Sequence, residues 1–142
     1  MAGSNTQFAV ATHIAAMLAD AGGEPLSSEH IAGSVRTNPV HIRRVLGRLR
    51  RAGLVSSRPG TRGGWRLERE AGELTLGDLW RAVHDDPPVL ALHDDTNPAC
   101  PVGRSIVATL GDVRARVVGA VESELDDITV DDVLRETLAY AP

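Results

Sequence analysis

The spacing of apolar positions predicts a mainly α protein with one short hairpin. Phe8, Ala11, Ile14, Ala15 and Leu18 recur at helical spacing between Thr6 and Ala21, and Gly22-Gly23 closes that helix. Ser27 is placed to cap a short second helix with Ile31, Ala32 and Val35 inward, and Arg36-Thr37-Asn38 follows as a turn. The third helix is the best-marked element: Asn38 at the cap, Pro39 at the first helical position and Gly53 just past the end. Its residues Ile42, Val45, Leu46 and Leu49 form the inward stripe, with His41, Arg44, Arg48 and Arg51 on the opposite face. Two short helices about a tight turn, the second basic outside and apolar inside, make a helix-turn-helix pattern. Leu54–Ser57 and Trp65–Glu68 are strand candidates around the turn Pro59–Gly64, and a basic hairpin directly after a basic helix is a wing. Thr75 caps a further helix, Leu76–Val83, and Asp78 is placed to complete a capping box.

His84 to Pro98 is rich in turn formers, with three prolines and four aspartates. Pro101 then opens a long helix from Val102 to about Leu125, roughly 36 Å in length. Ile106, Leu110, Val113, Val117, Val121 and Leu125 form a stripe along it, and Gly111 and Gly119 permit close approach of a neighbour. So long a helix after a small winged domain has little of its own chain to pack against. A second subunit is the natural cover, giving a two-fold dimer; folding back on its own domain is the other option. Thr129 and Asp132 cap a last helix ending near Ala139. Three regions follow: a winged helix-turn-helix domain over 1–83, a turn-rich sensor or linker region over 84–100, and the dimerisation helix with the C-terminal helix over 101–142. No internal repeat interrupts this order.

Composition narrows the function. No apolar run approaches the ~20 residues that span a bilayer, and no export signal is read at the N-terminus, so no membrane partner and a cytoplasmic location are expected. Phe8, Trp65, Trp80 and Tyr140 are too few aromatics for a base-stacking RNA platform. All 15 basic residues are arginine, and the net charge of −4 averages two unlike halves. Residues 1–70 carry a net +5 and residues 71–142 a net −9. Between Arg36 and Arg66 stand nine arginines and no acidic residue. A charge run is often only a solvated face, but a stretch of this length without one carboxylate points to a polyanionic partner.

The segments FAVATHIAAMLAD, SSEHIAGSVRTNPVHIRRVLGRLRRAGLVSS, GTRGGWRL and LTLGDLWRAV resemble the Rrf family of winged-helix transcriptional regulators, the family of IscR, NsrR and CymR. NPACPVGRSI is similar to its cysteine-poor, YwnA-like branch. The resemblance runs from about Phe8 to the end of the long helix and implies a regulator that binds double-stranded DNA. Members with an iron–sulfur cluster carry three cysteines before the dimer helix; this chain has only Cys100, matching the last, so no cluster and no other cofactor is expected. Members that insert an arginine into the minor groove often carry it just before the wing's first glycine. Here Pro59 stands there, which passes the role to Arg58 or Arg62.

These readings predict a homodimeric, sequence-specific regulator acting as a repressor on a palindromic operator. Thr37, Asn38, Val40, His41 and Arg44 lie at the start of the reading helix, within reach of base edges. Arg43, Arg48 and Arg51 are expected on phosphates, and Ser27 and Ser28 with the free N–H groups of the second helix form a phosphate seat. In the wing, Arg58, Arg62 and Arg66 flank glycines, Gly63 among them, that let the backbone approach the duplex. Trp65 is expected to anchor the wing and Trp80 to lie in the core. Cys100, beside Pro101 at a helix start, is the sensor candidate: either a reactive thiol favoured by the helix dipole or a small buried apolar group. His84, His93, Asp86, Asp94 and Cys100 are acceptable metal ligands, but their spacing matches no standard motif, the two HDD triplets read as polar turns, and no metal site is expected. Nothing in the chain carries an enzyme's signature. A winged-helix protein-interaction module is the alternative.

Overall fold

Four of the helix starts carry the side-chain caps that their sequences prepare. The computed structural model describes residues 5–142, so residues 1–4 of the expected first region lie outside the described residues. Its elements are α1 (Gln7–Asp20), α2 (Ser28–Val35), α3 (Pro39–Arg51), β1 (Val55–Arg58), β2 (Gly64–Leu67), α4 (Leu76–Val83), α5 (Pro101–Asp126) and α6 (Val130–Tyr140). Ser27 Oγ accepts from the His30 N–H at 3.1 Å, and Asn38 Oδ1 from the Val40 N–H at 2.8 Å. Thr75 with Asp78, and Thr129 with Asp132, form reciprocal capping boxes. Each cap is worth about 1 kcal/mol, enough to set where these short helices begin.

One core joins all the helices, α5 only through its C-terminal end. Ile14, Ile31, Ile42, Val45, Leu46 and Leu49 are fully buried together with Leu74, Leu79 and Val130. The inward stripes expected for α1 and α3 are all in contact with this core, Phe8 at its edge. The strands pair antiparallel with Val55 opposite Leu67 and Arg58 opposite Gly64, one residue off the expected ranges. A third segment joins them without a signal in the sequence: Leu26 exchanges backbone hydrogen bonds with Trp65, at 3.0 and 2.8 Å, and ties the lead into α2 to the wing. Gly64, at φ +139°, is required there, because a Cβ would come within 2.8 Å of the Leu26 carbonyl oxygen.

The C-terminal helix departs from the expected grouping. α6 packs against α1, with Val130 fully buried in the winged-helix core and Val133 against it. α5 behaves differently. Its far end is fixed to α4 by Arg81, which donates to Asp126 at 2.6 Å, with Glu122 at 3.8 Å. Leu125 reaches the core, whereas none of Ile106, Leu110, Val113, Val117 and Val121 packs on it. No residue of α5 is fully buried, and a Cβ on Gly111 or Gly119 would meet nothing within 4 Å. No helix among the described residues is long and apolar enough to cross a membrane.

Candidate nucleic-acid interface

The turn between α2 and α3 is made by Arg36, whose backbone sits in the left-handed region at φ 60° and ψ 48°. The N–H groups of Arg36 and Thr37 both bond to the Ala32 carbonyl, at 2.8 and 3.3 Å, which reverses the chain into α3. With the inner stripe of α3 buried, helical spacing puts Val40, Arg44, Gly47 and Arg51 along the middle of the outer face. Val40 is 52% exposed, an isolated apolar side chain in water on the first turn. Arg44 and Arg51 are exposed, and Thr37 and His41 half-buried beside them.

Several expected contacts are already engaged elsewhere. The Asn38 side-chain oxygen is taken up by the cap, as is the Ser27 hydroxyl oxygen. Ser28 is turned inward, and its hydroxyl donates to Glu29. Glu29 itself stands in the first turn of α2, 3.6 Å from Arg43, so the seat formed there is less cationic than Ser27-Ser28 suggested. Arg48 does not face outward with Arg44. It donates to the Val83 carbonyl at 3.1 Å and lies 3.5 Å from Asp85.

In the wing, Arg58 ends β1 and Arg62 sits in the turn, both exposed, with Arg66 half-buried on β2. Gly63 has an internal reason to be glycine: a Cβ would run into the Arg58 and Pro59 carbonyls across the turn. Trp65 packs on the core, and the Arg50 guanidinium lies 5.6 Å over its ring, a cation–π contact between α3 and the wing that the sequence did not suggest.

Charge compensation is sparser here than outside the region, where Arg104 and Arg116 alone lack a carboxylate at ion-pair distance among the described residues. Arg69, Arg81, Arg114 and Arg135 each pair with an aspartate. Of the nine arginines from Arg36 to Arg66, only Arg43 and Arg48 have a carboxylate at ion-pair distance among the described residues. The other seven stand uncompensated on or beside the reading helix and wing.

The sequence pattern of the Rrf2 family, described as "Iron-dependent Transcriptional regulator", matches residues 4–136. The chain belongs to the Rrf2 family. It is similar to YwnA of Bacillus subtilis (37% identical over 130 residues, 92% of this chain and 96% of the relative). Among solved structures it resembles T. potens IscR (26% identity, TM-score 0.72, covering 98% of this chain and 91% of that one). It also resembles CymR (YrzC), the global cysteine regulator of B. subtilis (27% identity, TM-score 0.68, 96% and 98%). This Rrf2 member is therefore a transcription regulator on a winged-helix DNA-binding fold, in a family of regulators and not of enzymes.

The family's iron does not fit the donors of this member. A thiolate-held cluster takes about four cysteine ligands; the chain has one, and no three potential ligands gather among the described residues. His84, His93, Asp86, Asp94 and Cys100 thus form no common site. Cys100 is exposed, against the option of a buried apolar group, and its Sγ caps α5 by accepting from the Gly103 N–H at 3.4 Å.

His84, in sequence a candidate only by ligand type, is the buried polar residue of this region. Its ring stands edge-on to Trp80 at 4.3 Å, and Trp80 in turn meets Phe8 at 5.3 Å. Neither ring nitrogen, nor Trp80 Nε1, has a hydrogen-bond partner among the described residues. Burial pushes the His84 imidazole below its ordinary range, with the Arg48 charge acting in the same direction and the nearby Trp80 backbone opposing it. The folded state therefore binds this proton less readily than the unfolded chain does. Stability is expected to hold above about pH 6.5 and to fall as the pH drops below that value. Thermal unfolding from pH 8 to 5 checks this: the midpoint should decline below about 6.5, and His84→Phe should flatten the decline. An equally steep decline in the variant would refute it.

Proposed function

We propose that this Rrf2 member is a homodimeric repressor that lays the first turn of α3 in the major groove and the wing arginines against the flanking minor groove or backbone. The observation that carries this reading is the set of seven arginines between Arg36 and Arg66 with no carboxylate at ion-pair distance among the described residues, with Val40 exposed among them. A solvated face would be expected to draw partners from a chain with 19 acidic residues, as four of the six arginines outside the stretch do. Thr37, Val40, His41 and Arg44 read base edges, Val40 suited to a thymine methyl and Arg44 to guanine. Arg43 and Arg51 meet phosphates, and Arg58 and Arg62 extend the contact through the wing.

The bare stripe of α5 supports a second copy as its cover, and two-fold symmetry then calls for a palindromic operator with half-sites one or two helical turns apart. Occupancy of a promoter is enough for repression. Cys100, exposed at the positive end of the α5 dipole, is the group suited to redox response.

Three measurements test these points. Arg44→Ala and Arg62→Ala should each weaken binding to a duplex recovered by selection, and each lost phosphate contact should lower the salt slope of log affinity by about 1; unchanged binding in both variants would sink the DNA-reading assignment. Leu110→Glu should sediment as a monomer where the wild type is a dimer; a dimeric variant would move the interface elsewhere. Mild peroxide should change duplex affinity of the wild type and leave Cys100→Ser unaffected, and an equal response in both would remove the thiol from the mechanism.

A further inference from the structure

The two aspartates that follow α4 face opposite ways. Asp85 lies 3.5 Å from Arg48 of α3, and Asp86 lies 2.8 Å from Arg114 of α5. The backbone contacts beside them are the stronger ones. Arg48 donates to the carbonyl of Val83 at 3.1 Å. Arg114 donates through Nε to Val89 at 2.9 Å and through Nη2 to Pro87 at 2.6 Å. Both aspartates are almost wholly exposed, so their ion pairs count for little in water. The arginine side chains are only 28% and 23% exposed, so their charge-assisted bonds to carbonyls compete with little solvent. Between the two grips the His84 ring is buried against Trp80, and Pro87-Pro88 stiffen the rest. Immediately beyond, Leu90, itself 52% exposed, takes φ 50°, an uncommon position for a non-glycine residue.

We propose that Val83–Val89 is a strap that couples α5 to the DNA-reading helix: Arg114 holds its far end, Arg48 its near end, and Arg48 is a positioning residue and not a phosphate contact. The first HDD triplet is thus more than a polar turn. A change in α5 or in the segment before it reaches α3 through one short, stiff, doubly gripped stretch. Only the part of the proposal that concerns phosphate contact rests on the DNA-reading function.

Amide exchange of the full chain without DNA tests the strap. Arg114→Ala should lower protection of the α3 amides by about threefold or more while α1 keeps wild-type protection, and Arg48→Gln should do the same. The double variant should lose no more than the larger single loss, because both grips act through one segment. Arg114→Lys, which keeps the charge but cannot span both carbonyls, should give a smaller loss in the same place. Unchanged α3 protection, additive losses, or losses spread equally over α1 and α3 would overturn the proposal. A salt titration on a random-sequence duplex supplies the second arm: Arg48→Gln should leave the slope as in the wild type, whereas a decrease of about 1 would make Arg48 a phosphate contact. A wild type that binds no duplex would defeat the DNA-reading function and leave the exchange result standing.

Discussion

Burial of the inner stripe of α3 is the interaction on which the rest of the molecule depends. Ile42, Val45, Leu46 and Leu49 are each completely removed from solvent. At about 1.5–3 kcal/mol per side chain, they fix both the position and the rotation of that helix. Repulsion among exposed guanidinium groups is far smaller, of order 1 kcal/mol or less per pair in water, and salt reduces it further. The apolar side therefore decides, and the cationic side is displayed as a consequence. Trp65 extends the same control to the hairpin, through its backbone pairing with Leu26, its seat on the core and the Arg50 guanidinium above it.

What could be read from sequence was local and periodic. The α3 stripe, its Asn38-Pro39 start and its Gly53 stop sit within 16 residues, and each signal concerns neighbours in the chain. The same holds for both capping boxes, which lie where Thr75-Asp78 and Thr129-Asp132 put them. Contacts made across the chain left no such trace. Leu26 is a single residue between Pro25 and Ser27, with no alternation to mark a strand, so its pairing with Trp65 was hidden. Arg48 shares its helical side with His41 and looked outward by period alone. Only the end of α4, 35 residues further along, supplies the carbonyl that turns it aside. Ser28 and Ser27 are indistinguishable as residue types, and the cap geometry separates them by sending one hydroxyl to a backbone N–H and the other inward.

The C-terminal part shows the same division. Its helices were legible one by one, but their grouping was not, because an amphipathic pattern says that a face is covered and not by what. α6 finds its cover on α1, through Val130 and Val133. The α5 stripe from Ile106 to Val121 finds none on the core of its own chain. One member of the first aspartate pair answers α3 and the other α5, an arrangement invisible in the HDD triplet itself.

Arg36 carries a consequence for anyone reshaping this protein. Its left-handed backbone is the conformation that glycine or asparagine accepts most easily, so the corner between α2 and α3 is built with a residue that fits it poorly. A glycine there would relax the main chain at the cost of a cation from the acid-free stretch, and a screen for heat tolerance alone would favour the exchange. Backbone ease and the positive charge of the stretch are set against each other at this one corner, and selection for both at once is what would retain an arginine in it.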